Sequence, residues 1–325
     1  MTRPIFTLSV VHARHTDTIG IASPGDFVGR HADDIPLPSG GAFPYCFDLL
    51  RRRAIYVCDV DIAALRAAPF YYLHLRRRAR VLLSVPIEHG VLAGSGAADP
   101  IFVFSPGRCG STLLSRIIYE AGIPGASEVD FYTQMTAAFW CHPRNPLREP
   151  FRRAMWNLTA DLQSALGGAP VIKLRSESCR APGLLLKSHR ARTLVMFRGF
   201  ESWARSNART FGSGPGKSVG KYLRALRCYA YLRKNSACHL VRFEDLQKDS
   251  QPACEKLGAF LGASIPAAAV ARAKAHDSQE GTPLELGRRR RNRAWEVKFD
   301  AAMRLWHSRR LALLRDSLDI PNVWD

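Results

Sequence analysis

The segment Phe104-Ser105-Pro106-Gly107-Arg108-Cys109-Gly110-Ser111-Thr112-Leu113-Leu114 carries the residue types needed to hold a phosphate. Gly107 and Gly110 allow tight turns and a close backbone approach that a Cβ would hinder. Ser111 and Thr112 open a helix, whose first N–H groups and positive dipole end attract an anion. Arg108 adds a permanent positive charge. An ordinary strand-to-helix turn with an N-cap Ser would use some of the same residues, so the surroundings must decide. The loop is not a Walker A motif, because the Lys of GxxxxGK[ST] is missing. Gly212-Ser213-Gly214-Pro215-Gly216-Lys217-Ser218 looks closer, but Phe211 stands where the first Gly should be. It also follows a helical stretch rather than a strand, so it reads as an interhelical turn.

Other chemistries find less support. The eight cysteines (46, 58, 109, 141, 179, 228, 238, 254) are scattered and form no CxxC pair. That spacing favours reduced thiols over a zinc site or a disulfide framework, and no metal is expected. Paired carboxylates at metal-ligand spacing are also missing from the sequence. The formal net charge of +19 favours polyanionic partners: nucleic acid, anionic membrane or phosphorylated small molecules. Yet 38 of the 47 basic residues are Arg on an Ala-rich background, the signature of genomic base composition. Charge alone therefore selects no function. The sharpest charge feature is Gly287-Arg288-Arg289-Arg290-Arg291-Asn292-Arg293, which by itself fits a solvated segment. The Asn157-Leu158-Thr159 sequon falls in a helical stretch and reads as chance. Trp156, Trp203 and Trp306 sit at helix-period positions and are expected in the core.

These groups need a frame to position them. A chain of 325 residues, 46% of them hydrophobic, makes one large domain or a domain with an elaboration, at roughly 150 residues per domain. No apolar run approaches the roughly 20 residues that span a bilayer. Ile5–Val11 is too short for a secretory core, so a soluble cytoplasmic protein is expected. Residues 1–95, with Pro/Gly-rich loops, alternating segments around Arg53–Asp59 and a helix expected near Asp61–Arg80, read as an N-terminal elaboration. Residues 96–325 read as an α/β domain. Buried-strand runs lie at Ile101–Phe104, Val171–Leu174, Thr193–Phe197 and His239–Phe243. Helix-period segments lie between them at Ser111–Ala121, Pro150–Leu166, Glu201–Arg209, Lys217–Lys234 and Ser250–Leu261. That alternation predicts an α/β fold, a parallel sheet flanked by helices on both faces. In such sheets ligands bind at the carboxyl ends of the strands, where the phosphate loop lies.

Over residues 100–320 the chain resembles the sulfotransferase family that uses 3′-phosphoadenosine 5′-phosphosulfate (PAPS) as donor. SPGRCGSTLL is similar to the family's P-[KR]-x-G-[ST]-[ST]-like loop in its Arg-bearing, bacterial-type form, with one extra Gly between Pro106 and Arg108. Cytosolic members usually carry Lys where Arg108 stands. A second likeness is Thr193-Leu194-Val195-Met196-Phe197-Arg198 followed by Ser206, eight residues after the Arg. The family's Asp-Pro after that Arg is replaced by Gly199-Phe200. A third is Val241-Arg242-Phe243-Glu244-Asp245-Leu246 with a helix ending Phe260-Leu261-Gly262.

The resemblance implies a P-loop NTPase-like sulfotransferase fold and transfer of a sulfuryl group from PAPS to a hydroxyl or amine, without a metal. It implies that Gly107, Arg108, Cys109, Gly110, Ser111 and Thr112 hold the 5′-phosphosulfate, and that Arg198 and Ser206 hold the 3′-phosphate. It offers Glu128, in an Ala126–Phe131 segment expected to begin a helix, as general base. A first-turn carboxylate serving only the helix dipole is the other reading of Glu128. Asp130 stands in reserve, with His142 and His189 as weaker candidates. Lys173 and Arg108 would touch the transferred group, and the Arg288–Arg293 run has the place of a loop that covers the nucleotide. The acceptor is unidentified, and residues 1–95 and 130–165 are expected to bind it. A P-loop kinase or ATPase and a basic nucleic-acid-binding protein are the alternatives. The first lacks a Walker Lys and a Mg²⁺-holding Asp in context, and the second lacks a recognised module.

Overall fold

The computed structural model describes residues 7–14, 19–31, 41–88, 99–188, 191–248, 250–275, 277, 280, 282–285, 294–316 and 318. His189 and the run 286–293 lie outside these described residues. The chain forms two compact units, Met1–Pro100 with Pro124–Leu174, and Ile101–Ile123 with Arg175–Asp325.

The first unit opens with β1 (Thr7–Ala13), β2 (Phe27–His31), β3 (Ala42–Asp48), β4 (Arg53–Cys58) and β5 (Val81–Pro86). They form an antiparallel sheet in the order β2-β1-β5-β4-β3. Between β4 and β5 the chain makes α1 (Ile62–Ala67) and α2 (Tyr71–Arg78), not the single helix expected over 61–80. Pro69 has no N–H to give and holds its predecessor extended, so Ala68 ends α1 at φ −66°, ψ 131°. Asp61 caps α1 by accepting from the Ala63 N–H at 2.9 Å.

The chain then enters the second unit for β6 (Ile101–Phe104) and α3 (Ser111–Glu120). It returns to the first for β7 (Gly125–Ser127), α4 (Asp130–Phe139), α5 (Arg148–Leu166) and β8 (Val171–Lys173). There β7 pairs parallel with β8, Ser127 opposite Lys173. Helices α4 and α5 pack on β3 through Phe47, whose ring meets Phe131 at 6.2 Å and Phe151 at 5.3 Å. The Gln134 amide meets the Phe47 backbone like a neighbouring strand: Oε1 accepts its N–H at 2.7 Å and Nε2 donates to its carbonyl at 3.1 Å. A buried polar cluster ties the sheet to α2, with Asp26 accepting from Tyr45 (2.6 Å) and Arg76 (2.9 Å). Thr159 of the Asn-Leu-Thr sequon is buried in α5, bonded to the Tyr132 hydroxyl at 2.8 Å.

The rest of the second unit is β9 (Arg192–Phe197), α6 (Phe200–Phe211), α7 (Pro215–Asn235), β10 (Ala237–Arg242), α8 (Phe243–Lys248), α9 (Ser250–Leu261), α10 (Ala267–Ala275), α11 (Trp295–Trp306) and α12 (Arg309–Asp316). Here β6, β9 and β10 pair in parallel, with helices connecting them. The predicted class is thus what the strands show, and the expected runs Ile101–Phe104, Thr193–Phe197 and His239–Phe243 become β6, β9 and β10. Gly212 (φ 58°) ends α6 and Pro215 starts α7, so the interhelical turn read over Gly212–Ser218 is confined to Gly212–Gly214, and Pro215–Ser218 form the first turn of α7. The core gathers Phe197, Phe200, Trp203, Tyr222 and Trp306. Phe200 stacks on Trp306 at 4.0 Å and 12°, and meets Tyr222 edge-on at 5.1 Å. Trp203 and Trp306 are buried as expected.

Candidate functional site

The fully buried strand β6 delivers the chain to Ser105. Gly107 (φ 70°), Arg108 (φ 58°) and Gly110 (φ 84°) then take left-handed conformations, three in four residues. At Gly110 the requirement is double, because a Cβ there would stand 2.2 Å from Cδ2 of Phe243. The curled loop is held from several sides. Trp203 Nε1 donates to the Gly107 carbonyl at 2.6 Å, Ser105 Oγ accepts the Gly107 N–H at 3.3 Å, and the Cys179 thiol donates to the Ser105 carbonyl at 3.4 Å. Gly110 caps α3, so the N–H groups of its first turn lack intrahelical partners. Ser111 and Thr112 are buried there, as is Cys109, whose side chain belongs to the core and leaves only its backbone for the loop surface.

The second expected pair meets this loop. Arg198 follows β9, and its Nε donates to Ser202 Oγ at 2.8 Å. Its guanidinium lies 4.6 Å over the Phe243 ring, and its carbonyl accepts from the Tyr222 hydroxyl at 2.7 Å. Burial pushes the Arg198 pKa down while Glu244 pulls it up, and an arginine so placed keeps its charge. Arg108 Nε lies 3.4 Å from Ser206 Oγ. Gly199-Phe200 makes a workable turn in place of Asp-Pro: the Gly199 N–H bonds Glu244 Oε1 at 3.0 Å while Phe200 enters the aromatic core.

Arg198, Ser202, Arg205, Ser206 and Arg209 line one pocket of about 170 Å³. Sequence reasoning missed Ser202, Arg205 and Arg209. The 202-205-206-209 spacing, one helix face, was the signal available. Arg205 lies over the Phe299 ring at 4.8 Å and Arg209 over Trp295 at 4.3 Å, so α11 supports both. Lys221 was missed as well. Its Nζ is 3.5 Å from the point a Gly107 Cβ would occupy. Burial pushes Glu177 up, but Arg175 and Lys221 outweigh it, so its carboxyl sits below the usual range. Three arginines and two hydroxyls around a small cavity, beside a curled glycine loop, suit a multiply charged phosphate.

In the first unit, Glu128 lies between β7 and α4 rather than inside a helix. The helix-start carboxylate is Asp130, which corrects the expected first-turn position of Glu128. Glu128 holds φ 62°, unusual for a residue with a Cβ, and its N–H bonds the Lys173 carbonyl at 2.7 Å. Its Oε1 forms an ion pair with Lys173 Nζ. The Lys173 side chain is 5% exposed and its ammonium lies 5.2 Å from the Phe70 ring centroid. Asp130 is fully buried, and Oδ2 accepts the Ala22 N–H at 2.7 Å, a structural task. His142 lies exposed in the turn after α4.

Among the described residues no group of three or more His, Cys, Asp or Glu is placed to hold a metal ion. Nor is any helix among them long and apolar enough to cross a membrane. All eight cysteines are free.

No protein-family profile matches the chain, and no curated protein matches it. Solved structures similar to it include the mouse sulfotransferase SULT7A1 complexed with PAP, at 12% identity over 69% of this chain and 85% of that one, TM-score 0.33. The sulfotransferase domain from the curacin biosynthetic pathway gives 11% identity over 71% and 95%, TM-score 0.37. Retinol dehydratase in complex with androsterone and inactive cofactor PAP gives 11% over 67% and 79%, TM-score 0.34. Likeness at this level assigns neither family nor activity.

Proposed function

We propose that the protein is a PAPS-dependent sulfotransferase, with the donor's phosphates held by the second unit. The observation that carries the reading is the α6 pocket: Arg198 and Ser206 line it together, and Arg108 of the glycine loop reaches the same Ser206. The residues fit the donor's charge. The pocket on α6 would take the 3′-phosphate, and Gly107–Thr112 would take the 5′-phosphosulfate through backbone N–H groups and the start of α3. Bound PAPS supplies a sulfuryl group on a phosphate leaving group. Arg108 and the loop amides would stabilise charge on the departing phosphate oxygen, and water would be excluded by the buried strand end.

Glu128 is the proposed base, taking the proton of a hydroxyl or amine acceptor at a carboxylate oxygen, and Lys173 holds that carboxylate in one orientation. Lys173 is also proposed to contact the transferred group. Residues 1–95 and 130–165 are proposed to bind the acceptor.

The test is thermal shift and calorimetry of the full chain with adenosine 3′,5′-bisphosphate, Mg²⁺–ATP and a short DNA duplex. Stabilisation by the bisphosphate alone is expected. Stabilisation by Mg²⁺–ATP alone would return a kinase or ATPase, and by DNA alone a nucleic-acid binder. A turnover screen with PAPS over carbohydrate, phenol, lipid and peptide acceptors then identifies the substrate.

A further inference from the structure

A second concave region of the second unit gathers cations. It is a cavity of about 390 Å³ bounded by β10, α8 and α9, and it shares no lining residue with the pocket on α6. Its charged lining is Arg242, Lys248 and Lys256 against a single acid, Asp245, with His239 beside them. His239 is fixed by stacking on Phe260 at 5.2 Å and 21°. Burial, and then the Lys256 ammonium, hold its imidazole below the usual range, which places Lys256 and His239 in one electrostatic neighbourhood.

The backbone adds a donor. In a parallel ladder a residue sends both its N–H and its C=O to the same neighbour, and the next residue sends both to the other side. The Ala237 N–H donates to the Ala191 carbonyl at 3.0 Å, toward β9. By alternation His239 and Val241 also face β9, and Leu240 directs its N–H to the far edge. No described strand pairs there, since β10 ends the sheet order. Leu240 is itself part of the cavity lining.

Arg242, Lys248 and Lys256 outnumber Asp245 around one concavity, and a monovalent ion can meet only part of that excess charge. A ligand with several negative charges can meet it at several points. The volume is also that of a small-molecule site, rather than of a single ion. We propose that this cavity is a second anion site, which takes a small ligand bearing two or more phosphate or sulfate groups through Arg242, Lys248, Lys256 and the Leu240 N–H. It stands whether or not the α6 pocket binds PAPS.

The test is calorimetry of the full chain with inorganic tripolyphosphate at about 150 mM salt, where loose surface attraction is screened. Wild type should show two classes of site. Arg198→Ala should remove one, and Lys248→Ala with Lys256→Ala should weaken the other tenfold or more. Both lysines are exposed, so the double variant should keep its fold, with Lys256→Gln alone as a milder check. The His239 imidazole NMR signals should shift on addition of tripolyphosphate and much less on addition of orthophosphate. A single class of site that vanishes in Arg198→Ala would overturn the proposal. So would full-strength binding in the lysine double variant, an unmoved His239, or equal affinity for the two anions.

Discussion

Arg108 and Ser206, 98 residues apart in sequence, meet with Nε 3.4 Å from Oγ, and this contact joins the glycine loop to the helix that carries the pocket residues Arg205 and Arg209. A ligand that engages one group therefore feels the other. Charge-assisted bonds to a phosphate are worth roughly 1.5–3 kcal/mol. Arg198→Ala should accordingly weaken adenosine 3′,5′-bisphosphate by about ten- to a hundredfold, and Ser206→Ala by less. Calorimetry reads both, and wild-type affinity in Arg198→Ala would refute the 3′-phosphate assignment.

Trp203 is a core residue with one polar duty, the Nε1–H that satisfies the Gly107 carbonyl at 2.6 Å. Trp203→Phe keeps much of the ring and removes that donor. The melting point should fall by the equivalent of about 1–3 kcal/mol for a carbonyl left unpaired. Bisphosphate affinity should fall with it, because the loop loses an anchor. A lower melting point with unchanged affinity would mean that the bond serves stability only.

Gly110→Ala combines a left-handed φ of 84° with a Cβ 2.2 Å from the Phe243 ring. The conformation alone costs about 1–2 kcal/mol, and the displaced ring carries the Arg198 guanidinium with it. Binding should suffer more than tenfold. Adding Phe243→Leu should recover part of the stability by relieving the contact, and failure to recover any would locate the damage in the backbone alone.

Glu128→Gln separates chemistry from packing. The exchange leaves the Lys173 ammonium buried without its counter-charge, which costs about 3–5 kcal/mol when nothing compensates. Glu128→Gln combined with Lys173→Met replaces the ion pair by apolar volume and should restore most of the melting point. If Glu128 is the base, PAPS turnover stays at least about a hundredfold down in both variants. Return of turnover together with stability would make the pair structural.

Burial and Lys256 keep His239 below the usual imidazole range, so the native state binds this proton more weakly than the unfolded chain does. The unfolded chain takes up that proton first as pH falls below about 6.5, and proton uptake then favours unfolding. The contribution is present above that pH and is lost below it. His239→Gln should flatten the fall of the melting point as the pH drops below about 6.5. An unchanged slope would assign the acid limb to other groups.

Much of the second unit was legible because parallel strands are apolar throughout and the helices between them are periodic. The glycine loop and the Arg198–Ser206 spacing could be read for a similar reason, since each is set by local sequence. Of the first unit's antiparallel sheet only the stretch around Arg53–Asp59 was read as an alternating segment, and it forms β4. In β3 (AFPYCFD), as in β4 itself, nearly every residue is buried, so burial on both faces blurs the alternation that marks an antiparallel strand. Arg205 and Arg209 were hidden differently. In an arginine-rich chain only tertiary structure shows which guanidinium groups turn to the same cavity. The left-handed Glu128 also broke the helix pattern at a place where periodicity carried no warning.

The stacks of Arg205 on Phe299 and Arg209 on Trp295 bear on the energetics of anion capture. A free arginine searches many rotamers, and ordering it upon a ligand costs about 0.5–1.5 kcal/mol of side-chain freedom. A guanidinium already held over an aromatic ring gives up part of that freedom when the chain folds. An anion at the proposed site would then meet charges standing in place, and its association would draw on attraction with less entropic opposition. Helix α11 would thereby serve the proposed site as a template, its rings fixing where the two guanidinium groups stand.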